Sequence, residues 1–164
     1  ISMNTVYILT GGNLGKRLIN LGNAQKFLED EIGKIEKSSS IYETAAWGNN
    51  DQPDFYNQAH IIKTKLSPED IMQKILKIEE KMGRVRTFKN AARIIDIDIL
   101  FFNEEIINKP GLIIPHAEIA NRRFVLEPLN ELSPHMIHPH LRKSVKELLS
   151  TCKDMLKVAP VSSL

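Results

Sequence analysis

The stretch Arg84–Phe102, RVRTFKNAARIIDIDILFF, decides how the rest of the chain is read. Its second half alternates, with Ile95, Ile97 and Ile99 set against Asp96 and Asp98. A period of two with β-branched residues on the apolar side is the mark of a strand. Positions i and i+2 of a strand share a face, roughly 6.5–7 Å apart. The two carboxylates therefore stand side by side over an apolar layer. Like charges this close raise each other's pKa unless cations lie between them. Carboxylates on a rigid strand suit hard, oxygen-seeking cations, and Mg²⁺ commonly takes one or two of them together with substrate phosphates. Just upstream, Arg84, Arg86, Lys89 and Arg93 occupy a segment with no apolar period, expected to be a loop. Guanidinium groups on such a loop match phosphate oxygens. Two plainer readings compete: the acidic strand can be an edge whose charges discourage aggregation, and the basic loop can be simply solvated. Four cations directly ahead of the acidic pair favour the metal–phosphate reading.

Upstream, Ser67-Pro68-Glu69-Asp70 opens a helix: Ser67 caps, Pro68 fits the first turn, and two acids suit the positive end of the dipole. Ile71, Ile75, Ile78 and Met82 are its buried stripe, and Gly83 its stop. Earlier still, Thr5–Thr10 is an apolar strand running into Gly11-Gly12-Asn13-Leu14-Gly15. Those glycines are not a Walker A loop, since the spacing is one residue short and Lys16 precedes Arg17. They are expected to make a strand-to-helix turn. Leu18, Leu21, Ala24, Phe27, Leu28 and Ile32 then mark a helix that Gly33 ends. The segment 35–47 reads as one strand, Gly48–Asp54 as a polar loop, and Phe55–Lys65 as its antiparallel partner. Downstream of Phe102, a hairpin through Asn103–Glu105 leads to Ile106 and Ile107, and Leu112–His116 is extended. Asn121–Phe124 is short helix or irregular, three prolines (128, 134 and 139) break up the remainder, and Arg142–Leu149 is a helix. His138 and His140 flank Pro139 and read as an exposed turn before a metal site. The order β-α-β-β-α-β, with C-terminal additions, points to an α+β fold. Its core is ferredoxin-like, a mostly antiparallel sheet with helices packed on it as three α/β/α layers.

A chain of 164 residues is most economically one domain, taken as residues 3–160, with Ile1 and Ser2 read as a cloning remnant. Such a chain buries close to ~70% of its unfolded surface without staples. With 42% hydrophobic and 26% charged residues it has the composition of a soluble globular protein. A net charge of +2 is too mild to imply nucleic acid or membrane as partner. One cysteine, Cys152, excludes an internal disulfide and a thiolate metal cluster; it is expected on a helix, as a packing residue, in a reducing compartment. No apolar run spans a bilayer and no signal peptide is expected, so the reading is cytoplasmic; a monomer is expected.

Five segments together carry a resemblance. They are Gly11–Gly15, Asp51–Asn57 (DQPDFYN), Gly83–Arg86 (GRVR), Arg93–Leu100 (RIIDIDIL), and Pro115-His116 followed by Asn121-Arg122-Arg123-Phe124. In this order and spacing the chain resembles the 6-hydroxymethyl-7,8-dihydropterin pyrophosphokinase family of folate synthesis. The resemblance implies transfer of the terminal diphosphate of ATP to a pterin hydroxymethyl group, with release of AMP. It further implies that Asp96 and Asp98 hold two Mg²⁺ ions. Arg86, Arg93, Ile99, His116 and Arg122 are then the ATP contacts, and Arg84, Arg93 and Asp98 the residues at the transfer itself. For the pterin it implies stacking by Phe55 and Phe124, ring-edge recognition by Asn57, groups from Thr44, Ala46 and Trp47, and Asn13. The chain departs from the family where many relatives carry a tryptophan in the basic loop, here Thr87–Arg93, and a tyrosine at the position of Ala117. One rival reading is a ferredoxin-like RNA-binding module. It expects exposed aromatics on central strands, against an aromatic content of 6% and no such motif.

Overall fold

The computed structural model describes residues 3–46, 51–85 and 91–161. Apolar alternation builds the central strands: β1 (Asn4–Gly12), β4 (Phe55–Thr64) and β5 (Asp96–Phe102), in the order β5-β1-β4, all antiparallel. The far edge of β4 is covered by two short strands in succession, β2 (Gly33–Ser38) and β3 (Tyr42–Thr44). The single strand expected over 35–47 is thus broken at Ser39–Ile41. The break stays fastened because the Ser39 hydroxyl stands in for a ladder acceptor, taking the Ala59 N–H at 2.9 Å, while Ser39 N donates to Ala59 O. Residue Trp47, the end of that expected strand, lies outside the described residues. Taken as one unit, β2 and β3 complete the strand order of a ferredoxin-like core, and β8 (Val158–Pro160) adds a last strand beside β3.

Helices α1 (Arg17–Glu31) and α2 (Pro68–Lys81) pack on one face, over Val6, Ile8, Ile62, Ile95, Ile97 and Ile99. The start of α2 is as read: Ser67 Oγ accepts from Asp70 N at 3.2 Å, and Gly83 follows the helix at φ +89°. Gly33 does not stop α1; Ile32 caps it and Gly33 already begins β2. The other face carries α3 (Arg123–Leu132) and α4 (Val145–Ser150), packed on Leu9, Ala59, Leu100 and Phe101. Both sheet faces therefore carry helices, unlike the open face that an RNA-binding sheet presents.

Five expectations for the C-terminal third are corrected. Residues 123–132 form a full helix despite Pro128, because Val125, Leu126 and Leu129 are buried together against the sheet. β6 (Ile107–Lys109) pairs with β7 (Leu112–Ile114) in a separate hairpin, not with β5. The last helix starts three residues later than expected: Arg142 sits at φ +62°, and Ser144 and Glu147 form a reciprocal capping box. Cys152 lies beyond that helix, half-buried. His138 is buried instead of exposed, edge-on to Phe101 at 5.7 Å, and its Nδ1 accepts from His140 N and Leu141 N.

Candidate active site

The strand β5 keeps its alternation up to a bulge: Ile99 pairs with Ile8 and Phe101 with Tyr7, so Leu100 is the extra residue. Asp96 and Asp98 consequently face α3 while Ile97 and Ile99 stay buried beneath α1 and α2. A cavity of ≈ 240 Å³ opens over the two acids. Its polar wall holds Asp96, Asp98, Arg93, His116, Glu118 and Arg122. Its other wall holds Phe55, Phe124, Asn57, Thr44, Ala45, Leu9, Leu100 and Val125, closed below by Gly11.

Of the glycines after β1's apolar run, Gly11 and Gly12 are the last two residues of the strand, and Gly15, at φ +74°, makes the expected turn into α1. A Cβ on Gly11 would stand 2.0 Å from Asn57 Oδ1, and one on Gly12 would stand 2.2 Å from Ile94 O. Only a residue without a side chain lets the Asn57 amide lie across the strand and the 91–95 segment close onto it. On the cavity wall, the Thr44 hydroxyl oxygen is buried with no hydrogen-bond partner among the described residues.

Asp96 is held by two cations: Arg84 Nη1 on Oδ1 at 2.7 Å and Arg93 Nη1 on Oδ2 at 3.3 Å. Arg84 is drawn back from the cavity, its side chain 14% exposed, because Nη1 also meets Glu79 Oε2 at 3.0 Å and donates to Ile95 O at 3.3 Å. Burial alone would lower the guanidinium's pKa, but Asp96 and Glu79 more than compensate and raise it. Arg93 reaches across the site, its guanidinium 5.2 Å from the Phe55 ring centroid. Asp98 faces the cavity with His116 Nε2 3.8 Å from its Oδ1. Burial first, then the charges of Asp96 and Glu79, push the Asp98 carboxyl up to about 8. Burial holds His116 below its usual value, and its Nδ1 accepts from Glu118 N at 3.1 Å. At neutral pH the imidazole is therefore uncharged with its proton on Nε2, toward Asp98. Arg122 Nε pairs with Glu118 Oε2 at 3.4 Å.

Nine of the residues expected at the site thus line one cavity: Thr44, Phe55, Asn57, Arg93, Asp96, Asp98, His116, Arg122 and Phe124. Four do not. Arg84 stands behind Asp96. Ala46 is buried next to the wall, where Ala45 is exposed to the cavity instead. The Ile99 side chain is in the core on the opposite face. Asn13 is buried, with its amide bound to Gln52, Pro53 and Arg93. Trp47 and Arg86, with Phe88 and Lys89, lie outside the described residues. The residue that sequence reasoning missed is Glu79, on the buried side of α2. It accepts from Ile97 N at 2.8 Å and so anchors both Arg84 and the backbone between the two aspartates. A charge inside an otherwise apolar helix stripe, four residues past Ile75, was the available signal. Among the described residues no cluster of three or more His, Cys, Asp or Glu side chains forms a cation cage.

The family model described as 7,8-dihydro-6-hydroxymethylpterin-pyrophosphokinase (HPPK) matches residues 7–134, well over half the chain. The chain belongs to this family. A curated relative from Aquifex aeolicus, 2-amino-4-hydroxy-6-hydroxymethyldihydropteridine pyrophosphokinase, is 41% identical over 145 residues, covering 88% of this chain and 90% of that one. The Dictyostelium discoideum folic acid synthesis protein is 43% identical over 138 residues, which are 84% of this chain but 21% of that protein. In solved structures the fold matches that of Plasmodium falciparum HPPK-DHPS with TM-score 0.75 and 20% identity, covering 90% of this chain and 45% of that chain. The HPPK match covers both walls of the site, whose lining runs from Leu9 to Val125. Among the described residues no helix is long and apolar enough to cross a membrane.

Proposed function

We propose that this HPPK-family chain transfers the terminal diphosphate of ATP to the hydroxymethyl oxygen of 6-hydroxymethyl-7,8-dihydropterin, a step of folate synthesis, releasing AMP. The observation that carries the reading is one cavity with an acidic strand and three cationic or imidazole groups on one wall and two phenyl rings with an amide on the other. A triphosphate needs the first wall and a flat, amide-bearing heterocycle the second.

In the reaction the hydroxymethyl oxygen bonds to the β-phosphorus of ATP. The bond from that phosphorus to the α-phosphate oxygen breaks, and its electron pair leaves with AMP. The hydroxyl proton passes to Asp98 or to solvent. Phe55 and Phe124 sandwich the ring, Asn57 reads its edge, and the Thr44 hydroxyl with the backbone at Ala45 and Ala46 completes its hydrogen bonds. Asp96 and Asp98 are the residues to hold Mg²⁺, and the donor set fits: two carboxylates leave most of the coordination sphere to phosphate oxygens and water, as this ion prefers. Two ions bound there supply charge neutralisation along the phosphate chain. Arg84 and Arg93 pair with Asp96, and with His116 and Arg122 they are the chain's partners for phosphate oxygens. The working unit of this reading is a monomer of residues 3–160. The single Cys152 suits a cytoplasmic setting.

The test is release of AMP from ATP by the purified chain with Mg²⁺ and the hydroxymethyl pterin. AMP and the pterin diphosphate are expected in equal amounts, with the activity lost on adding EDTA. Production of ADP instead, or no pterin-dependent turnover, overturns the reading.

A further inference from the structure

Asn13 is 1% exposed and lies outside the cavity lining, yet its amide joins the segments behind both walls. Its Nδ2 donates to Gln52 Oε1 at 2.8 Å and to Pro53 O at 3.1 Å. Its Oδ1 accepts from Arg93 N at 2.9 Å, and the backbone N–H groups of Asn13 and Leu14 donate to Arg93 O at 3.0 and 3.1 Å. One side chain therefore fastens the residues that lead into Phe55 to the residue whose guanidinium holds Asp96. The same two segments meet again where the Arg93 guanidinium packs over the Phe55 ring. A buried amide that loses a partner leaves a donor or acceptor stranded away from water. A shift of the Arg93 backbone must then either carry the Gln52–Pro53 segment with it or break these bonds.

We propose that Asn13 is a positioning residue that couples nucleotide binding on the arginine wall to pterin binding on the phenylalanine wall. The proposal rests on the pyrophosphokinase reading, which supplies the two ligands. Coupling of this kind is reciprocal: whatever factor the nucleotide adds to pterin affinity, the pterin adds to nucleotide affinity. Asn13 itself touches neither ligand, so its removal acts on the ratio of affinities and not on one contact.

The experiment measures the Kd of the oxidised pterin alcohol with and without Mg²⁺ and α,β-methylene ATP, which binds but cannot be cleaved at the reacting bond. The wild-type chain is expected to bind the pterin about tenfold more tightly, or better, with the nucleotide present. Asn13→Asp keeps the acceptor for Arg93 N but sets an oxygen against Gln52 Oε1 and Pro53 O. Gln52→Ala removes one partner on the loop side and leaves the Arg93 side untouched. Both are expected to shrink the ratio by at least about threefold, with the Tm of Gln52→Ala close to wild type. Should Asn13→Asp fail to fold, Gln52→Ala alone decides. A ratio unchanged in the variants, even with both affinities weakened equally, overturns the assignment and leaves Asn13 with a purely structural part. A wild-type ratio of one overturns it as well. A wild-type chain that binds neither ligand overturns the pyrophosphokinase reading instead.

Discussion

At the residue scale, the chemistry is concentrated in Asp96 and Asp98, and the structure separates their parts. Asp96 is neutralised by two guanidiniums, whereas Asp98 has the His116 imidazole at 3.8 Å as its partner among the described residues, and its carboxyl is pushed up to about 8. Asp98→Asn keeps the shape but removes the charge that a cation needs, so turnover is expected to fall by more than ~100-fold with the circular dichroism spectrum unchanged. Near-normal turnover in that variant excludes Asp98 from cation binding. Arg84 is withdrawn from the cavity by Glu79. Its contact with phosphate would then be made mainly as charge develops, so Arg84→Ala should depress kcat far more than it weakens nucleotide binding. Initial-rate kinetics set beside a direct nucleotide titration check this, and a change confined to KM rejects it.

At the element scale, the site depends on how closely β1 and β4 approach. Gly11 and Asn57 are register partners, and the amide of one occupies the space where a side chain on the other would be. Gly11→Ala must push Asn57 off the cavity wall. The pterin KM is expected to rise by roughly tenfold or more, while kcat at saturation and the nucleotide KM change little. A variant with unchanged pterin KM would show that Asn57 does not read the ring. The capping of α2 is a stability matter only: Ser67→Ala should cost about 1 kcal/mol in denaturant melts and leave kinetics alone. The α3 helix, missed in the sequence because of Pro128, shows why local rules fail there. Proline removes one helical hydrogen bond, but the burial of Val125, Leu126 and Leu129 outweighs it, and Glu131 ties the helix to the sheet through Ser40 N and Tyr42 OH.

At the scale of the whole molecule, stability carries a pH dependence that comes from the core. His60 on β4 is fully buried, with Nδ1 on Ser38 Oγ at 2.7 Å and Nε2 unpartnered among the described residues, and burial pulls its pKa from 6.5 down to about 4. The unfolded chain then binds more protons than the folded one between those values. The stability is complete above about 6.5 and is lost as pH falls toward 4, by about 3 kcal/mol. His60→Gln should flatten that part of the stability curve in denaturant titrations from pH 7 to pH 4; an unaltered slope would place the dependence elsewhere. Alternating isoleucines and aspartates and the Ser67 cap were enough, by themselves, to determine β5, the second helix and the acidic pair, since each rests on a period or a cap confined to neighbouring residues. The five short segments also carried the family. What only the tertiary structure decided was long-range: that Glu79 reaches under β5 to hold Arg84, that Asn13 faces away from the ligand cavity, and that Ile99 is sealed beneath α1 and α2. Each of these depends on which groups meet across the folded chain, and a one-dimensional pattern holds no distance between residues 13 and 93 or 79 and 97.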